Sequence, residues 1–578
     1  MIHTFEIMPL HQMLKPTHYT SQYLVVIVFL LIAFQSPSIP QVLAGNTASI
    51  LIKNHLKKKI ALETTKERFR CRGELICGLS QIPLFYQQRD FLPAWCSDKG
   101  ILPQAESLIM EIKDAYNEGL IPDDYHLANI LSLIEKIKHI QDLGNTVNPE
   151  LWTDLDLLLT DAFMLFASHL LAGRVNPETI HTDWTVSIPT TDLTNILQSA
   201  LNENQIKKAL TDFRPHHTGY LGLKTYLAHY RNIVTEIHEL PLLDGARFQK
   251  GDKGRSVERL RGRLTLLGDL HADDRDPDDI FDETTEKAVR RFQKRHGLNQ
   301  DGIVGPLTLN MLNISLQQRI RQIELNMERW RWIPRNIGDR HLIVNIADFK
   351  LWVTENHRRE IEMRVVVGRP YRRTPVFTAK MTFMVINPYW NIPQRLAIKD
   401  ILPEIQRNIH YIEQQKIKVF KDWSKHAEEI DPKTIAWNKI EPRNFTYKLR
   451  QDPGPKNVLG RMKFIFPNKF AVYLHDTPKR SLFNENDRDF SSGCIRVEDP
   501  IRLAVYLLKD DSRWTRERLM EAIENGTPQV VEVKRPLAVH LQYWTAWVDE
   551  AGQLNFRHDI YDRDRPLDRA LKERRPEA

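Results

Sequence analysis

The hydrophobic pattern of this chain changes period near residue 335, and this change limits the folds that the chain can adopt. Before it, residues 152–171 (WTDLDLLLTDAFMLFASHLL) are apolar nearly all round, which is typical of a helix buried among other helices. After it, turn residues separate β-branched or alternating runs that predict strands, at 341–346, 351–354, 361–368 and 380–387. Because 578 residues are too many for one core, the sequence predicts a multidomain α+β protein of about three or four domains.

Residues 57–245 predict a helical scaffold domain. Segments such as 105–118 repeat their apolar residues at helical intervals and are separated by proline and glycine breaks. The histidines His169 and His181 stand apart from other chemically active side chains, so we interpret them as structural. No catalytic group of residues stands out in this part of the sequence.

Residues 251–313 form a compact module with the signals of three short helices. Four apolar residues lie on one face of the first helix: Val257, Leu260, Leu264 and Leu267. Asp282 can cap the start of the second helix, and Pro306 suits the first turn of the third. The stretch FDETTEKAVRRFQKRHGL followed by QDGIVGPLT resembles the peptidoglycan-binding domain family. The resemblance implies contact with glycan strands, and a three-helix spacer without a ligand is the alternative.

Between residues 398 and 455 the strand pattern gives way to a charged, tryptophan-containing segment that favours helices and includes ILPEIQRNIHYIEQQ. Strand patterns resume at 462–466 and 470–475, so the segment interrupts a β domain. We interpret 398–455 as a helical lid insertion, because it directly precedes the residues that we expect to carry the chemistry. The last residues, 536–578, predict a hairpin and a tail.

Residues 1–44 have the layout of a secretory signal peptide. A 12-residue apolar run at 23–34 is followed by prolines and by Val42-Leu43-Ala44, which suits a cleavage site after Ala44. The run is short for crossing a bilayer, which takes about 20 apolar residues. We therefore expect export to the periplasm. An uncleaved membrane anchor is the alternative, and Met13 is an alternative start of translation.

The chain has four cysteines, which export would place in an oxidising compartment. Cys71, Cys77 and Cys96 cluster near the start of the mature chain, whereas Cys494 stands alone. We expect one disulfide within the trio, between Cys96 and either Cys71 or Cys77, because a loop from Cys71 to Cys77 would be tight. The isolated Cys494 suits a nucleophile in a covered cleft.

The strongest chemical signal is Cys494, which follows a glycine in the run SSGCIR and has His475 19 positions before it. A thiol becomes a strong nucleophile when a base such as imidazole takes its proton. Gly493 lets the backbone turn tightly, and N–H groups at Gly493 and Cys494 can face a developing oxyanion. In a strand at 470–475, a period of two places Tyr473 and His475 on one face. The residues therefore predict an acyl-transfer site.

The sequence SSGCIRVED after YLHDTP resembles the catalytic motif of the L,D-transpeptidase family, in which a histidine-bearing strand precedes a Ser/Thr-x-Gly-Cys-x-Arg segment. The whole order of segments resembles the large multidomain periplasmic branch of that family. The resemblance implies an antiparallel, β-sandwich-like catalytic domain at 340–535 with the nucleophile at one end. Further matches are Thr374-Pro375 and the run NPYWNIP, which supplies Asn387 and Trp390 as candidate substrate-binding residues.

The resemblance implies the substrate, and the residues of the motif supply the roles. Cys494 would attack a peptide carbonyl, and His475 would take the thiol proton and later give it to the leaving amine. Tyr473 would help the backbone N–H groups hold the oxyanion. Arg496 would either bind a substrate carboxylate or order the cysteine loop.

Ser492 departs from the family pattern, since many members have histidine at this position. The group that orients His475 is therefore open, and a backbone carbonyl, Ser491 or Ser492 would each serve. Asp476 follows His475 directly, but a regular strand would turn its side chain to the other face.

Taken as a whole, the resemblance implies a peptidoglycan L,D-transpeptidase. It would form 3→3 cross-links between a donor and an acceptor stem peptide through a cysteine thioester, releasing D-alanine. Roles in cell-wall remodelling and β-lactam tolerance are also implied. One alternative is an L,D-carboxypeptidase or thiol hydrolase, in which water resolves the acyl-enzyme. Another is a catalytically silent wall-binding scaffold.

Charge and residue spacing limit other partners. The net charge of +7 is a mild bias that fits an anionic wall polymer, and no arginine-rich stripe with interleaved aromatics predicts nucleic-acid binding. The cysteines and histidines lack the spacing of ligand sets, so we expect neither a metal nor a cofactor.

Overall fold

A computed structural model describes residues 42–573, apart from short gaps at 64–68, 144–147, 187–188, 190, 238–240, 245–246 and 272–278. The expected signal peptide at 1–44 lies almost wholly outside the described residues. The described chain contains a helical scaffold, a three-helix module and a β-rich domain, so the prediction of a multidomain α+β protein is confirmed.

The scaffold domain packs its helices around one long central helix. Its helices are α1 (Val42–Glu63), α2 (Gln81–Gln88), α3 (Pro103–Asp114), α4 (Leu127–Asp142), α5 (Pro149–Ala172), α6 (Pro177–Ile180), α7 (Leu193–Asn202), α8 (Ile206–Asp212) and α9 (Thr218–Glu236). Two small hairpins join them, β1 (Arg70–Cys71) with β2 (Glu74–Leu75) and β3 (Cys96–Ser97) with β4 (Gly100–Ile101). By length and composition α5 is the one described helix that could cross a membrane, but 72% of its most apolar window is buried inside the protein. It is therefore the core helix that the pattern at 152–171 predicts.

Three buried aspartates of α5 hold the surrounding loops in place. Asp154 pairs with Arg72 at 2.5 Å, Asp156 accepts from the Trp95 N–H at 2.8 Å, and Asp161 accepts from the Gly78 N–H at 2.8 Å. A buried carboxylate is costly unless it is paired or hydrogen-bonded, so these contacts fix the loops against the helix.

The same helix explains why the expected disulfide is absent. Among the described residues, none of Cys71, Cys77 and Cys96 forms a disulfide bond. The Cys71 sulfur lies 3.5 Å from a carboxylate oxygen of Asp154, and the Cys96 sulfur lies 3.6 Å from one of Asp156. Residues two apart on a helix point about 200° apart around its axis, so α5 separates these two thiols. Cys77 is exposed. The prediction of a bond between Cys96 and Cys71 or Cys77 is therefore wrong.

The three-helix module has the predicted elements. Its helices are α10 (Arg255–Leu266), α11 (Glu283–Arg295) and α12 (Pro306–Leu312), around a small apolar core of their own. The Asp282 side chain caps α11 by accepting from the Thr285 N–H at 2.8 Å. Helix α13 (Leu316–Arg331) then leads to the β-rich domain and packs against α9 of the scaffold.

The remaining elements follow in chain order. The strands are β5 (Arg340–Asn345), β6 (Lys350–Glu355), β7 (Arg358–Val366), β8 (Phe377–Ile386), β9 (Trp390–Asn391), β10 (Ile417–Phe420), β11 (Glu429–Ile430), β12 (Lys448–Gln451), β13 (Met462–Ile465), β14 (Leu474–His475), β15 (Ile495–Val497), β16 (Gln529–Gln542), β17 (Ala546–Val548) and β18 (Leu554–Phe556). The helices are α14 (Gln394–Leu396), α15 (Leu402–Arg407), α16 (His410–Gln414), α17 (Pro500–Leu508), α18 (Arg516–Glu524) and α19 (Asp564–Lys572).

The β-rich domain is a closed barrel with the strand order β13-β14-β15-β7-β6-β5-β16-β8. Strand β8 closes the ring because it pairs with both β16 and β13. The pairs β14–β15 and β16–β5 are parallel, and the other pairs are antiparallel. The expectation of an antiparallel sandwich is thus corrected to a closed, mixed barrel. Strand β16 runs to Gln542, so the barrel also includes residues that we expected in the C-terminal segment from 536.

Strand β14 is shorter than predicted, and the sequence contains the reason. The predicted strand at 470–475 keeps only Leu474–His475. The Asn468 side chain accepts from the N–H groups of Phe470 at 3.0 Å and Val472 at 3.2 Å, and Ala471 has a φ of 54°. These side-chain bonds replace strand pairing in the first part of the segment.

The insertion is not purely helical. Helices α14 to α16 pack with a four-stranded sheet of order β11-β10-β12-β9 around a separate apolar core. The sheet begins at Trp390, so the insertion starts before residue 398. At the C-terminus, β17 and β18 form the predicted hairpin, and α19 contacts α13 through an Arg321–Asp568 ion pair of 2.5 Å.

The absence of disulfide bonds among the described cysteines gives a direct test of this fold. Unfolding the protein without reductant and alkylating it with iodoacetamide is expected to modify all four thiols. Mass spectrometry of the intact protein counts the modifications, with a reduced sample as the control. Two thiols that react only after reduction would contradict the packing around α5.

Candidate active site

The parallel pairing of β14 with β15 brings the predicted site residues together. Leu474 pairs with Ile495 and His475 with Arg496, and the Ile495 N–H donates to the Tyr473 carbonyl at 3.1 Å. Cys494 lies in the turn directly before β15. The cysteine loop therefore lies beside the end of the histidine-bearing strand, although the two are separated in sequence.

Cys494 is enclosed, and Tyr473 contacts its sulfur. Both the Tyr473 hydroxyl and the Tyr473 N–H hydrogen-bond to it. Burial raises the pKa of the thiol, and the bonds from Tyr473 and the charges of Lys463 and Arg496 offset only part of this effect. Cys494 keeps some exposed surface. The resting group is thus a neutral thiol that a substrate can reach.

His475 is buried and held by the backbone. Its Nδ1 lies 2.5 Å from the carbonyl oxygen of Asp476. A carbonyl only accepts hydrogen bonds, so Nδ1 carries the proton and Nε2 keeps its lone pair. Of the three groups that the sequence left open, the structure places a backbone carbonyl against the ring. The Asp476 side chain instead accepts from the Arg461 N–H at 2.9 Å.

The protonation state of His475 follows from its surroundings. Burial, and then the positive charges of Arg496 and Lys463, lower the pKa of His475 to about 3, and the bond to Asp476 opposes them. At neutral pH the ring is therefore neutral and has a free base at Nε2. A neutral thiol and a neutral imidazole form the resting pair.

Ser491 and Gly493 shape the cysteine loop. The Ser491 hydroxyl donates to the Cys494 carbonyl at 2.5 Å and accepts from the Gly493 N–H at 3.1 Å. Gly493 has a φ of 117°, a conformation that favours glycine. The predicted role of the Gly493 N–H as an oxyanion donor is not supported, since Ser491 already occupies it. In the part of the chain that the structure describes, no residue accepts a hydrogen bond from the Cys494 N–H.

Two cations flank the cysteine and histidine. Lys463 on β13 is paired in register with His475, and its Nζ lies 3.8 Å from the centre of the Tyr473 ring. The Nε atom of Arg496 is buried, with no hydrogen-bond partner among the described residues. Burial lowers the pKa of both groups. The sequence did not single out Lys463, because its proximity depends on which strand pairs with β14.

A loop between β7 and β8, residues 368–374, supports the cysteine loop from behind. The Thr374 hydroxyl donates to the Gly493 carbonyl at 2.9 Å and accepts from the Gly368 N–H at 2.9 Å. The Arg369 N–H donates to the Ser491 carbonyl at 3.0 Å. Thr374, which the motif resemblance includes, therefore holds the residue before the nucleophile.

The C-terminal segment in turn holds loop 368–374. The Tyr561 hydroxyl donates to the Gly368 carbonyl at 2.5 Å and accepts from the Thr374 N–H at 3.2 Å. Arg563 is fully buried, donates to the Thr374 carbonyl at 3.2 Å, and pairs with Asp183 of the scaffold at 2.5 Å. Sequence patterns gave no sign of this contact, since it joins three distant parts of the chain.

The two candidate substrate-binding residues Asn387 and Trp390 contact helix α18 and the core of the insertion, respectively. The Asn387 side chain donates to the carbonyls of Ala522 at 2.9 Å and Ile523 at 3.1 Å, which lie in the last turn of α18. It satisfies helix-end carbonyls, which is a structural role. Trp390 lies in β9 and packs against the core of the insertion.

Ser492 faces the insertion. Its hydroxyl accepts from Arg372 of loop 368–374 at 3.0 Å. The same arginine forms an ion pair with Asp400 of the insertion at 2.5 Å. Among the described residues, no group of three or more His, Cys, Asp or Glu side chains could hold a metal ion.

Comparisons with known families agree with this division of the chain. Residues 339–531 match the family of L,D-transpeptidase catalytic domains, 253–312 match the peptidoglycan-binding domain family, and 80–227 match a scaffold domain family. The chain thus carries a catalytic domain of the L,D-transpeptidase family and a peptidoglycan-binding domain.

Two curated relatives are similar over parts of the chain. A Haemophilus influenzae protein named "Putative L,D-transpeptidase" is 36% identical over 252 residues, covering 43% of this chain and 49% of the relative. The Mycobacterium tuberculosis N-acetylmuramoyl-L-alanine amidase CwlM is 37% identical over 76 residues, covering 12% and 19%. The chain therefore spans about half the length, or less, of these relatives.

Solved structures of low similarity include the L,D-transpeptidase from Stackebrandtia nassauensis, at 15% identity and a TM-score of 0.20, covering 53% of this chain and 97% of that one. An L,D-transpeptidase from Mycobacterium smegmatis has 13% identity and a TM-score of 0.17, covering 35% and 58%.

The neutral resting pair predicts how the reactivity of Cys494 depends on pH. Because the thiol pKa is raised, the thiolate fraction grows only as pH rises toward alkaline values. Because the His475 pKa is about 3, the imidazole does not titrate between pH 5 and 8. Iodoacetamide labelling of the Cys494 peptide, followed by mass spectrometry, is expected to speed up steadily with pH and show no step near pH 6.5. A plateau of fast labelling below pH 7 would instead indicate a preformed thiolate–imidazolium pair.

The support from Tyr561 predicts a loss of rate without a loss of fold. Replacing Tyr561→Phe removes both hydrogen bonds to loop 368–374, so the cysteine loop shifts relative to its acyl donor. We expect about tenfold slower acylation of Cys494 and a stability loss of about 1 kcal/mol. Rapid-quench acylation and thermal unfolding measure the two effects.

Tyr506→Phe is the matched control for that variant. The Tyr506 hydroxyl also makes two hydrogen bonds within the catalytic domain, donating to Glu355 at 2.7 Å and accepting from Arg340 at 3.1 Å, and neither partner belongs to loop 368–374. We expect a similar stability loss with unchanged acylation. Equal rates in wild type and Tyr561→Phe would show that the C-terminal segment does not position the loop.

Proposed function

We propose that this chain, which carries a catalytic domain of the L,D-transpeptidase family beside a peptidoglycan-binding domain, joins peptidoglycan stem peptides by 3→3 cross-links. The main support for the proposal is the Cys494 thiol, which is largely enclosed and hydrogen-bonded by Tyr473. It lies next to strand β14, whose histidine, His475, has a free Nε2. A thiol, a base and a fixed tautomer are the parts that acyl transfer needs.

The first half-reaction forms a thioester. The Cys494 sulfur attacks the carbonyl carbon between the third stem residue and the terminal D-alanine, while Nε2 of His475 takes the thiol proton. The carbon–nitrogen bond then breaks, and His475 returns this proton to the departing D-alanine amine. The imidazole ends neutral, as it began, and the acyl group stays on sulfur.

Two hydrogen-bond donors near the sulfur can hold the oxyanion of the tetrahedral intermediate. One is the Cys494 N–H, to which no described residue is bonded, and the other is the Tyr473 hydroxyl. A donor of this kind typically lowers the barrier by about 3 kcal/mol. The Tyr473 hydroxyl already contacts the sulfur, so it needs little movement to follow the developing charge.

The second half-reaction resolves the thioester. A side-chain amine of a second stem attacks the thioester carbonyl, and His475 takes a proton from the attacking nitrogen. The carbon–sulfur bond breaks, and the sulfur regains a proton from His475 as the new amide forms. Attack by water instead would give a tripeptide, which is the carboxypeptidase or hydrolase alternative.

Arg496 is suited to binding a substrate carboxylate. Its guanidinium lies next to the cysteine and histidine, and its buried Nε has no hydrogen-bond partner among the described residues. A buried cation without a partner is costly, and a carboxylate would remove this cost. We therefore favour the binding role for Arg496 over a role in ordering the cysteine loop.

The other parts of the chain fit work at the cell wall. The peptidoglycan-binding domain would hold glycan strands near the catalytic domain, and the mild positive charge suits an anionic polymer. The substrate lies outside the cytoplasm, so we propose a periplasmic location, with membrane attachment only if the N-terminal segment is retained. Wall remodelling, cell-shape maintenance and β-lactam tolerance would follow from this activity. An intact thiol and base argue against a silent scaffold.

The activity can be tested with purified protein and disaccharide-tetrapeptides. Wild-type protein is expected to produce 3→3 dimers and equal amounts of D-alanine, resolved by liquid chromatography and mass spectrometry. Cys494→Ala removes the nucleophile and is expected to abolish both products while leaving binding to isolated sacculi intact. Cys77→Ala removes an exposed thiol far from the site and serves as the matched control.

The outcomes separate the alternatives. Tripeptides and D-alanine without dimers would indicate a hydrolase. No product from a folded protein that still binds sacculi would indicate a silent scaffold. Dimers formed by Cys494→Ala at the wild-type rate would rule out the proposed mechanism.

A further inference from the structure

Arg372 connects the insertion to the cysteine loop through a single guanidinium. Its two terminal nitrogens donate to the two carboxylate oxygens of Asp400 at 2.5 and 2.6 Å. One of these nitrogens also donates to the Ser492 hydroxyl at 3.0 Å, two residues before Cys494. Asp400 belongs to the turn Ala397–Ile401 of the insertion, which lies outside the barrel.

The geometry at Arg372 is that of a carboxylate-binding site. Two parallel bonds from one guanidinium to both oxygens of a carboxylate are the strongest and most specific form of this contact. The Arg372 side chain is only 10% exposed, whereas that of Asp400 is 39% exposed. The site is therefore built around the arginine, and the aspartate is the more accessible partner.

Arg372 and Asp400 belong to different parts of the domain, the barrel and the insertion. The Arg372 N–H donates to the Arg369 carbonyl at 2.8 Å within loop 368–374. A Cβ at Gly368 would lie 2.1 Å from the Arg372 carbonyl, so this tight turn requires a glycine there. Asp400, in contrast, is held in a segment whose core is separate from the barrel core. Movement of the insertion would leave Arg372 in place and without its partner.

We propose that Arg372 is the binding site for a carboxylate of the acceptor peptide, and that Asp400 occupies it in the free enzyme. This inference rests on the proposed function. The attacking amine of a diaminopimelate side chain has a carboxylate on the same carbon. Arg372 lies beside the cysteine loop on the side of the insertion, and the proposal requires the acceptor to approach the thioester from this side. Arg496 remains available for the donor.

The Ser492 hydroxyl helps to hold the Arg372 guanidinium beside the cysteine loop. Where many family members have histidine, this chain has a hydroxyl that accepts a bond from Arg372 and keeps the guanidinium directed at the loop. Asp400 has to leave before the acceptor carboxylate binds, so the two carboxylates compete for one arginine. Arg372 thus acts as a specificity-determining residue, favouring an amine with an adjacent carboxylate over water.

The test compares two acceptors, a tetrapeptide with the free diaminopimelate carboxylate and the same peptide with that carboxylate amidated. The wild type is expected to show a KM for the amidated acceptor about tenfold or more above that for the free one. Arg372→Gln is expected to raise the KM of the free acceptor to that of the amide and to shift product from dimer toward tripeptide. Acylation of Cys494 by the donor should change less than twofold.

Asp400→Asn supplies the opposite variant. It removes the competing carboxylate, so we expect the KM for the acceptor with a free carboxylate to fall severalfold. Arg372→Gln is expected to raise the same KM. Arg395→Gln, in α14 of the insertion, removes an equal charge from an exposed side chain that contacts neither Asp400 nor Ser492, and it is expected to match the wild type. Thermal unfolding confirms that each variant is folded.

The outcomes distinguish this inference from the proposed function. If the wild type forms neither dimer nor adduct on Cys494, the proposed function fails and the inference fails with it. If the wild type forms dimers but Arg372→Gln still prefers the free acceptor, only the role of Arg372 is overturned. If Asp400→Asn and Arg372→Gln shift the KM equally and in the same direction, the Arg372–Asp400 pair is a structural ion pair and not a site shared with an acceptor carboxylate.

Discussion

The parallel pairing of β14 with β15 is the contact on which the candidate site depends. It is only two residues long, yet it brings the cysteine turn beside Tyr473 and His475. So short a pairing needs support from its neighbours. β13 supports the histidine side and β7 the cysteine side, and loop 368–374 holds the turn through Thr374. Closing the barrel therefore also builds the site.

The electrostatics of the site follow from this enclosure. Burial keeps both Cys494 and His475 neutral at rest. The nearby cations Lys463 and Arg496 therefore face no anion from these two groups until a negative charge develops during the reaction. The hydrogen bond that His475 Nδ1 donates to the Asp476 carbonyl sets the tautomer of the ring, which a carboxylate partner sets in many other sites. The reaction would thus begin with general-base removal of the thiol proton, and charge would appear only when substrate is bound.

Sequence patterns selected residues that the structure brings together, because the signals that mark them are local. The two-residue period of a strand predicted that Tyr473 and His475 lie side by side, and the structure places their ring centres 5.7 Å apart. The Gly-Cys pair marked the turn. Helix α5 and the three-helix module were predictable for the same reason, since their apolar periods and caps are local. The missed features depend on which distant segments pair. Lys463, Tyr561 and Arg563 reach the site only through strand order and domain packing.

Two expectations from the sequence met contacts that join distant segments. Asn387 was a candidate binding residue because it lies in a run that matches the family motif, and its side chain donates to helix-end carbonyls of α18. The disulfide prediction used cysteine number and compartment, whereas the Asp154 and Asp156 carboxylates of α5 keep Cys71 and Cys96 on different sides. In both cases a buried polar group found its partner far away in sequence.

In the proposed mechanism the Cys494 sulfur carries the acyl group. Mixing the protein with a tetrapeptide donor alone, quenching with acid and measuring the intact mass tests this step. We expect an adduct equal in mass to the donor minus D-alanine, located by peptide mapping on Cys494, with one D-alanine released per adduct. Release of D-alanine with no adduct at any quench time, or an adduct on another residue, would contradict it.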